Sequence, residues 1–206
     1  MSDDTYIHRL LPAGHGRPLL FLFHGTGGDE DQFVALGPQL LPGAGIVSPR
    51  GDVTEHGANR FFRRTAEGVY DMADLARGTA KMASFAAAQV AGQQPSAVAG
   101  LGYSNGANIL ASIIFARPDM FDAAVLMHPL IPFKPQVDGS LAGRRILVTA
   151  GRHDPICPPA QTEALALHLR ETGAQVDVLW HDGGHEIRPS EIAATQDFLA
   201  PLRIPA

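Results

Sequence analysis

The 206-residue sequence has one cysteine, no long hydrophobic run and no excess of basic residues. The single cysteine, Cys157, excludes a disulfide framework within the chain and suits a reducing compartment. The longest continuous apolar run, residues 19–23, is far shorter than the roughly 20 residues that a membrane-spanning helix needs. The net charge of −5 argues against nucleic-acid binding, which requires a basic face.

Residues 1–4 are acidic and contain no apolar core, so they do not resemble the start of a signal peptide. We therefore expect a cytoplasmic protein with no membrane partner. The 45% hydrophobic and 18% charged content is ordinary for a globular protein, so disorder is not expected. The length predicts one domain over residues 1–206.

Apolar segments alternate with helical segments along the chain, which predicts an α/β fold with a mostly parallel central sheet and helices on both faces. Residues 49–70 and 130–143 are predicted to be loops, and the second is too short for a large lid domain. The predicted strands are residues 6–11, 18–23, 46–48, 97–101, 123–127, 145–150 and 175–180. The predicted helices are residues 29–41, 71–91, 107–116, 160–171 and 190–199.

The most informative stretch is GYSNG at residues 102–106, between a predicted strand and a predicted helix. A serine at the apex of such a tight turn is held in a strained conformation that exposes its hydroxyl. Gly102 and Gly106 are expected to be required because a Cβ at either position would collide across the turn. This pattern predicts that Ser104 is a nucleophile.

A nucleophilic serine needs a base, and an imidazole base needs a carboxylate to orient it. Asp154 and His185 both follow predicted strands, and the order Ser, Asp, His is typical of α/β-hydrolases. We therefore predict a triad of Ser104, Asp154 and His185. The competing acids are Asp122 and Asp182, and the competing bases are His128, His153 and His181.

The sequence contains partial matches to a cofactor-binding motif and to a metal-binding motif, and each lacks a required feature. Gly100 and Gly102 follow a strand, but the third glycine of a dinucleotide-binding motif is replaced by Asn105. His181 and His185 have the spacing of a helical zinc pair, but the two glycines between them disfavour a helix. We therefore expect neither a cofactor nor a metal.

Four motifs together resemble the phospholipase/carboxylesterase family of α/β-hydrolases: HGTGGDE at 24–30, GYSNG at 102–106, GRHDP at 151–155 and GH at 184–185. RFFRR at 60–64, followed by Glu67, Gly68 and Asp71, resembles the small bacterial carboxylesterase-like branch related to hydroquinone-induced hydrolases.

This resemblance implies the α/β-hydrolase fold and an oxyanion hole made by the backbone N–H groups of Thr26 and Asn105. His24 is interpreted as structural, orienting the loop that carries Thr26. A homodimer is compatible with the resemblance.

The segment at residues 60–64 has two interpretations. One is a solvated face with salt bridges to neighbouring carboxylates. The other places Arg60 or Arg63 at the substrate entrance, with Phe61 or Phe62 as an apolar wall.

The predicted function is a cofactor-free serine hydrolase that cleaves carboxylic esters through an acyl-enzyme, with small or flexible molecules expected as substrates. One alternative is thioester or lysophospholipid hydrolysis by the same triad. Another is a non-catalytic ligand-binding protein of the same fold, since fold does not determine function.

Overall fold

The computed structural model describes residues 5–203, and its centre is a seven-stranded sheet. The strands of the described chain are β1 (His8–Leu11), β2 (Leu19–Phe23), β3 (Gly45–Pro49), β4 (Val53–Glu55), β5 (Ala58–Arg60), β6 (Arg64–Ala66), β7 (Val69–Tyr70), β8 (Val98–Tyr103), β9 (Ala123–Met127), β10 (Arg145–Gly151) and β11 (Gln175–His181). The sheet order is β1-β3-β2-β8-β9-β10-β11. Only β1, at one edge, runs antiparallel to its neighbour.

In the described part of the chain, five α-helices flank this sheet: α1 (Gly37–Leu40), α2 (Met72–Gln93), α3 (Asn105–Ala116), α4 (Pro159–Glu171) and α5 (Pro189–Leu199). The longest, α2, begins where predicted, because the side chain of Asp71 caps it by accepting a hydrogen bond from the Asp74 N–H. No helix within residues 5–203 is long and apolar enough to cross a membrane.

The central strands are buried on both faces, which explains their continuous apolar sequences. In β2, Phe21 and Phe23 pack into a core with residues of α2 and α3, whereas Leu20 and Leu22 pack into a second core with residues of α1 and α5. Full burial of such a side chain contributes about 1.5–3 kcal/mol relative to exposure. The predicted mostly parallel sheet with helices on both faces is confirmed.

The helix predicted at residues 29–41 is wrong, because only α1 is helical there. Polar side chains in this segment bond to the loop backbone instead of favouring a helix. Asp29 accepts the Asp31 N–H, and Gln32 accepts the Gly25 N–H. The result is a series of turns that ends in a single helical turn.

The loop predicted at residues 49–70 is also wrong, because it contains two small antiparallel hairpins, β4–β5 and β6–β7. Their strands have only two or three residues, too few to show an alternating pattern. Their turns contain Gly57 and Gly68, both with positive φ, and these glycines are the local signal that could have indicated the hairpins. The predicted loop at residues 130–143 is confirmed.

Candidate active site

The turn after β8 places Ser104 at the carboxyl edge of the sheet, with φ 53° and ψ −116°. This is a strained conformation for a residue with a side chain. A Cβ on Gly102 would lie 2.4 Å from the Gly106 carbonyl oxygen, and a Cβ on Gly106 would lie 2.2 Å from the Phe23 carbonyl oxygen. Both glycines are therefore required by close backbone approaches, as expected from the sequence.

Ser104, His185 and Asp154 form a chain of hydrogen bonds at this edge. The Ser104 Oγ lies 2.9 Å from His185 Nε2, and His185 Nδ1 lies 2.7 Å from Asp154 Oδ2. The ring of His185 thus lies between a hydroxyl and a carboxylate, the arrangement that lets an imidazole act as a base. The Tyr103 hydroxyl donates to the His185 carbonyl at 2.8 Å, which fixes the loop that carries the ring.

Asp154 is buried, and its second oxygen, Oδ1, accepts the backbone N–H groups of Ile156 and Cys157 at 2.8 and 3.0 Å. Burial alone would raise the pKa of Asp154. The hydrogen bonds from the Cys157 backbone, His185 and His128 outweigh that effect and lower the pKa below its ordinary value. The carboxylate is therefore ionised at neutral pH.

The competing acids lie elsewhere. Asp122 accepts the Val98 N–H and pairs with Arg144. Asp182 is exposed and lies near Arg152. Neither contacts His185, so Asp154 is the carboxylate that the fold brings to the candidate base.

The loop after β2 faces the same edge. Thr26 and Asn105 line one cavity with Ser104. Within residues 5–203, neither of their backbone N–H groups has a hydrogen-bond acceptor, and that of Asn105 is the first of α3. Two free donors beside a candidate nucleophile suit a developing oxyanion.

Hydrogen bonds to distant segments hold both candidate donor residues and the start of this loop in place. Arg60 Nη1 donates to the Thr26 Oγ1 at 2.7 Å, and the Asn105 Oδ1 accepts the Phe61 N–H at 2.8 Å. His24 is buried; its Nε2 accepts the Gly51 N–H at 2.9 Å. Its Nδ1 therefore carries the proton and donates to the Gly25 carbonyl at 2.7 Å.

The cavity beside Ser104 has a volume of ≈ 270 Å³. Its walls combine apolar side chains with the charged pair Arg64 and Glu67. Its lining residues are Thr26, Arg60, Arg64, Glu67, Gly68, Tyr70, Tyr103, Ser104, Asn105, Asn108, Leu130, Ile156, Cys157 and His185. Two larger grooves, of ≈ 660 and ≈ 570 Å³, lie elsewhere and are lined by none of the three hydrogen-bonded residues.

The structure separates the four residues of the 60–64 segment that were candidates for substrate binding. Arg60 lines the cavity, although it is buried and bonded to Thr26. Phe61 and Phe62 are buried in the core and do not line it. Arg63 is exposed, pairs with acidic residues of the α2 start, and also lies outside the lining.

His128 and Glu191 were not assigned to the site from the sequence. His128 Nδ1 lies 2.9 Å from Asp154 Oδ2, and His128 Nε2 lies 3.1 Å from Glu191 Oε1. Both side chains are fully buried. The positive φ of 51° at His128, directly after β9, is unusual for a residue with a side chain but gave no signal in the sequence.

Two groups of these side chains bring atoms of metal-ligating type within 4.8 Å of one another. One group is His128, His181 and Glu191, and the other is His128, Asp154 and His185. The same atoms form short contacts between imidazole nitrogens and carboxylate oxygens. The contacts of His128 and His185 with Asp154 are hydrogen bonds, and His181 Nε2 is in hydrogen-bond contact with His128 Nε2 at 3.5 Å, whereas the contacts with Glu191 are ion-pair distances.

The chain is similar to proteins of known family. The dienelactone hydrolase family matches residues 30–186. A protein of Bacillus subtilis (strain 168) named as a hydrolase, MhqD, is 38% identical over 191 residues, covering 92% of this chain and 96% of its own length.

Two solved structures are similar to this chain over nearly its whole length. The crystal structure of a protein of unknown function from Agrobacterium tumefaciens str. C58 is 55% identical with a TM-score of 0.93, covering 98% of this chain and 99% of that one. The crystal structure of the Bacillus cereus carboxylesterase is 33% identical with a TM-score of 0.91, covering 97% of this chain and 96% of that one. The resemblance to carboxylesterases of the α/β-hydrolase fold is thereby confirmed, and the chain belongs to the dienelactone hydrolase family as a hydrolase of the esterase type.

Proposed function

We propose that this enzyme hydrolyses small carboxylic esters with Ser104 as nucleophile, His185 as base and Asp154 as the orienting carboxylate. The observation that supports this most directly is the chain of hydrogen bonds from Ser104 Oγ to His185 Nε2 and from His185 Nδ1 to Asp154 Oδ2. The strained turn exposes the hydroxyl, and the imidazole accepts its proton when the hydroxyl attacks.

The reaction has two halves. Ser104 Oγ attacks the ester carbonyl while His185 takes its proton, and the N–H groups of Thr26 and Asn105 stabilise the negative charge on the carbonyl oxygen. The carbon–oxygen bond to the alcohol then breaks, and the alcohol leaves with the proton from His185. A water molecule, deprotonated by His185, attacks the acyl group on Ser104 and releases the carboxylic acid.

The cavity favours a small and uncharged substrate. Its volume of ≈ 270 Å³ is just below the range of about 300–1,000 Å³ that is typical of pockets for drug-sized ligands. Arg64 pairs with both Glu55 and Glu67, and Arg60 with Glu55, so the charges at the wall offset one another. No strong preference for a charged acyl group follows from this wall.

Kinetics on a panel of esters and thioesters of graded acyl length, in buffer without added metal, test the proposed function. We expect the highest kcat/KM for uncharged esters with short acyl chains, because a longer chain exceeds the cavity. Comparable thioester rates would extend the reaction to the alternative substrate class. Absence of hydrolysis across the panel would contradict the proposal.

Arg60 is proposed to support the oxyanion hole and not to bind the substrate directly. Its guanidinium is buried, and it holds the Thr26 side chain and the Phe62 carbonyl. Its pKa is lowered by burial, but an arginine remains charged at any pH of interest. A hydrogen bond to the Thr26 hydroxyl orients the residue whose N–H faces the oxyanion.

The Arg60→Met variant is therefore expected to lose about 10-fold or more in kcat with a smaller change in KM, less than the roughly 10²–10³ lost when an oxyanion donor is removed. Arg63→Met is the matched control, because it removes the same charge from an exposed neighbour outside the cavity. Steady-state kinetics of both variants measure the difference. A rise in KM alone in Arg60→Met would indicate a direct substrate contact and contradict this role.

A further inference from the structure

One wall of the cavity beside Ser104 is made by residues from three separate elements: Tyr70 of β7, Asn108 of α3 and Leu130 of the loop after β9. We call these three residues the partition. A closed ring of hydrogen bonds joins them. The Tyr70 hydroxyl donates to the Leu130 carbonyl at 2.5 Å, and the Leu130 N–H donates to the Asn108 Oδ1 at 2.7 Å. The Asn108 Nδ2 completes the ring by donating to the Tyr70 hydroxyl at 2.8 Å.

The polar atoms of the partition are occupied by one another. All three residues are buried, so the ring of hydrogen bonds is shielded from water. Burial also raises the pKa of Tyr70, which keeps its hydroxyl protonated and able to donate. What the partition offers to a substrate is therefore apolar, namely the Tyr70 ring and the Leu130 side chain.

Two larger grooves lie behind the partition. Met72 and Ser112, which follow Tyr70 and Asn108 closely in sequence, line the groove of ≈ 660 Å³. Ile131, directly after Leu130, lines the groove of ≈ 570 Å³. Within residues 5–203, neither groove shares a lining residue with the cavity.

The ring of Tyr70 is the part of the partition that reaches toward both grooves. Phe133 lines each groove, and its ring centroid lies 6.4 Å from that of Tyr70. On another side, Phe62 packs edge-on to Tyr70 with a centroid distance of 4.8 Å. The Tyr70 ring is thus held by two aromatic contacts and by its hydroxyl, between the cavity and an apolar space more than twice as large.

We propose that Tyr70 and Leu130 are specificity-determining residues, which close the acyl end of the cavity and limit hydrolysis to esters with short apolar acyl chains. This inference rests on the proposed function, because it concerns the acyl group that Ser104 would take up. A chain that reaches the partition meets a close-packed wall that cannot move aside at low cost.

The acyl group is assigned to this wall because the alcohol has to lie elsewhere. His185 gives its proton to the leaving alcohol, so the alcohol lies on the His185 side of the cavity. None of the hydrogen bonds or ring contacts of the partition involves His185. The partition instead adjoins Ser104 through α3, where the Asn108 N–H donates to the Ser104 carbonyl at 3.0 Å.

The ratio of kcat/KM for an octanoate ester to that for a butanoate ester of the same alcohol tests the proposal. In Tyr70→Val we expect this ratio to rise by about 10-fold or more, because loss of the ring opens the cavity toward the apolar grooves. Each further methylene group that becomes buried contributes about fourfold in kcat/KM, the equivalent of ~0.8 kcal/mol. Lengthening the alcohol of an acetate ester is expected to have the same effect in Tyr70→Val as in the wild type.

Two controls separate the bulk of the wall from other effects. Tyr70→Phe removes the hydroxyl, and with it two of the three hydrogen bonds, but keeps the ring in the wall. Phe133→Ala removes an aromatic ring that lines the grooves and not the cavity. Both are expected to keep the wild-type ratio, and a rise in either as large as in Tyr70→Val would overturn the proposal.

Leu130→Ala is a second test of the same wall. Leu130 takes part in the ring of hydrogen bonds only through its backbone, so this variant trims the wall and leaves the ring intact. We expect a smaller rise in the ratio, about fourfold. A wild-type ratio in a folded Tyr70→Val enzyme, or in Leu130→Ala if the valine variant does not fold, would overturn the proposal. A wild-type enzyme that hydrolyses neither ester would contradict the proposed function, and this inference with it.

Discussion

The Ser104→Ala variant is expected to lose ester hydrolysis by about 10⁴-fold or more while keeping its fold. Ser104 has no substitute, because the other polar groups of the cavity do not share its hydrogen bond to His185 Nε2. Cys157 lines the same cavity, but burial raises the pKa of its thiol, so it remains an unreactive thiol. The variant also removes only one oxygen atom from the turn, so little change in stability is expected.

Steady-state hydrolysis and a circular dichroism spectrum measure these two outcomes together. Ser112→Ala is the matched control, since it removes a hydroxyl from α3 that donates to the Asn108 carbonyl and does not line the cavity. We expect the control to retain its activity. A folded Ser104→Ala enzyme with wild-type kcat/KM would show that another group is the nucleophile.

The Asp154→Asn variant is expected to lose activity by a similar factor, about 10⁴-fold, for a different reason. Two backbone N–H groups, of Ile156 and Cys157, donate to Oδ1, so the oxygen of the introduced amide has to occupy that position. The amide NH₂ then faces His185 Nδ1, where a donor replaces an acceptor. His185 is forced to carry its proton on Nε2, and it can no longer accept the proton of Ser104.

Asp182→Asn is the control for this change, because Asp182 is close in sequence to His185 but is exposed and contacts Arg152. Its kcat/KM is expected to equal that of the wild type. An Asp154→Asn enzyme with less than a 10-fold loss of kcat/KM would contradict the assigned role of Asp154.

Much of the fold followed from local patterns. The apolar strands of the sheet, the α2 cap at Asp71 and the turn at Ser104 each have a signal within a few residues. The exceptions have a physical cause. At residues 29–41, Asp29 and Gln32 bond to the loop backbone, and a sequence cannot show which of several partners a polar side chain takes.

The candidate site also contains residues that a local sequence signal predicts and residues that it does not. The nucleophile, acid and base each follow a strand, so the parallel sheet itself brings their chain positions to one edge. The supporting residues come together only through tertiary structure. Arg60 reaches Thr26 across 34 residues, and His128 meets Asp154 across 26. No spacing rule predicts such contacts. From the sequence, His128 was therefore only one of three competing bases, with no sign of its contact to Asp154.

The aromatic pair of the 60–64 segment shows a further limit of sequence patterns. Phe61 and Phe62 stand next to two arginines, and an apolar wall at the substrate entrance was one of two interpretations of this segment. In the fold, Phe61 packs edge-on to Phe23 and Phe62 packs against Tyr70 within the core. A large apolar side chain contributes more by burial than at a wet cavity mouth, and that preference decides the packing.

Labelling with a fluorophosphonate, followed by peptide mass spectrometry, tests the central claim most directly, because the reagent reacts with a serine only when its hydroxyl is activated. We predict one adduct per chain on the peptide that contains Ser104, with labelling much slower in Asp154→Asn and at Ser104 abolished in Ser104→Ala. No labelling of an intact, folded enzyme, or an adduct on another residue, would contradict the account.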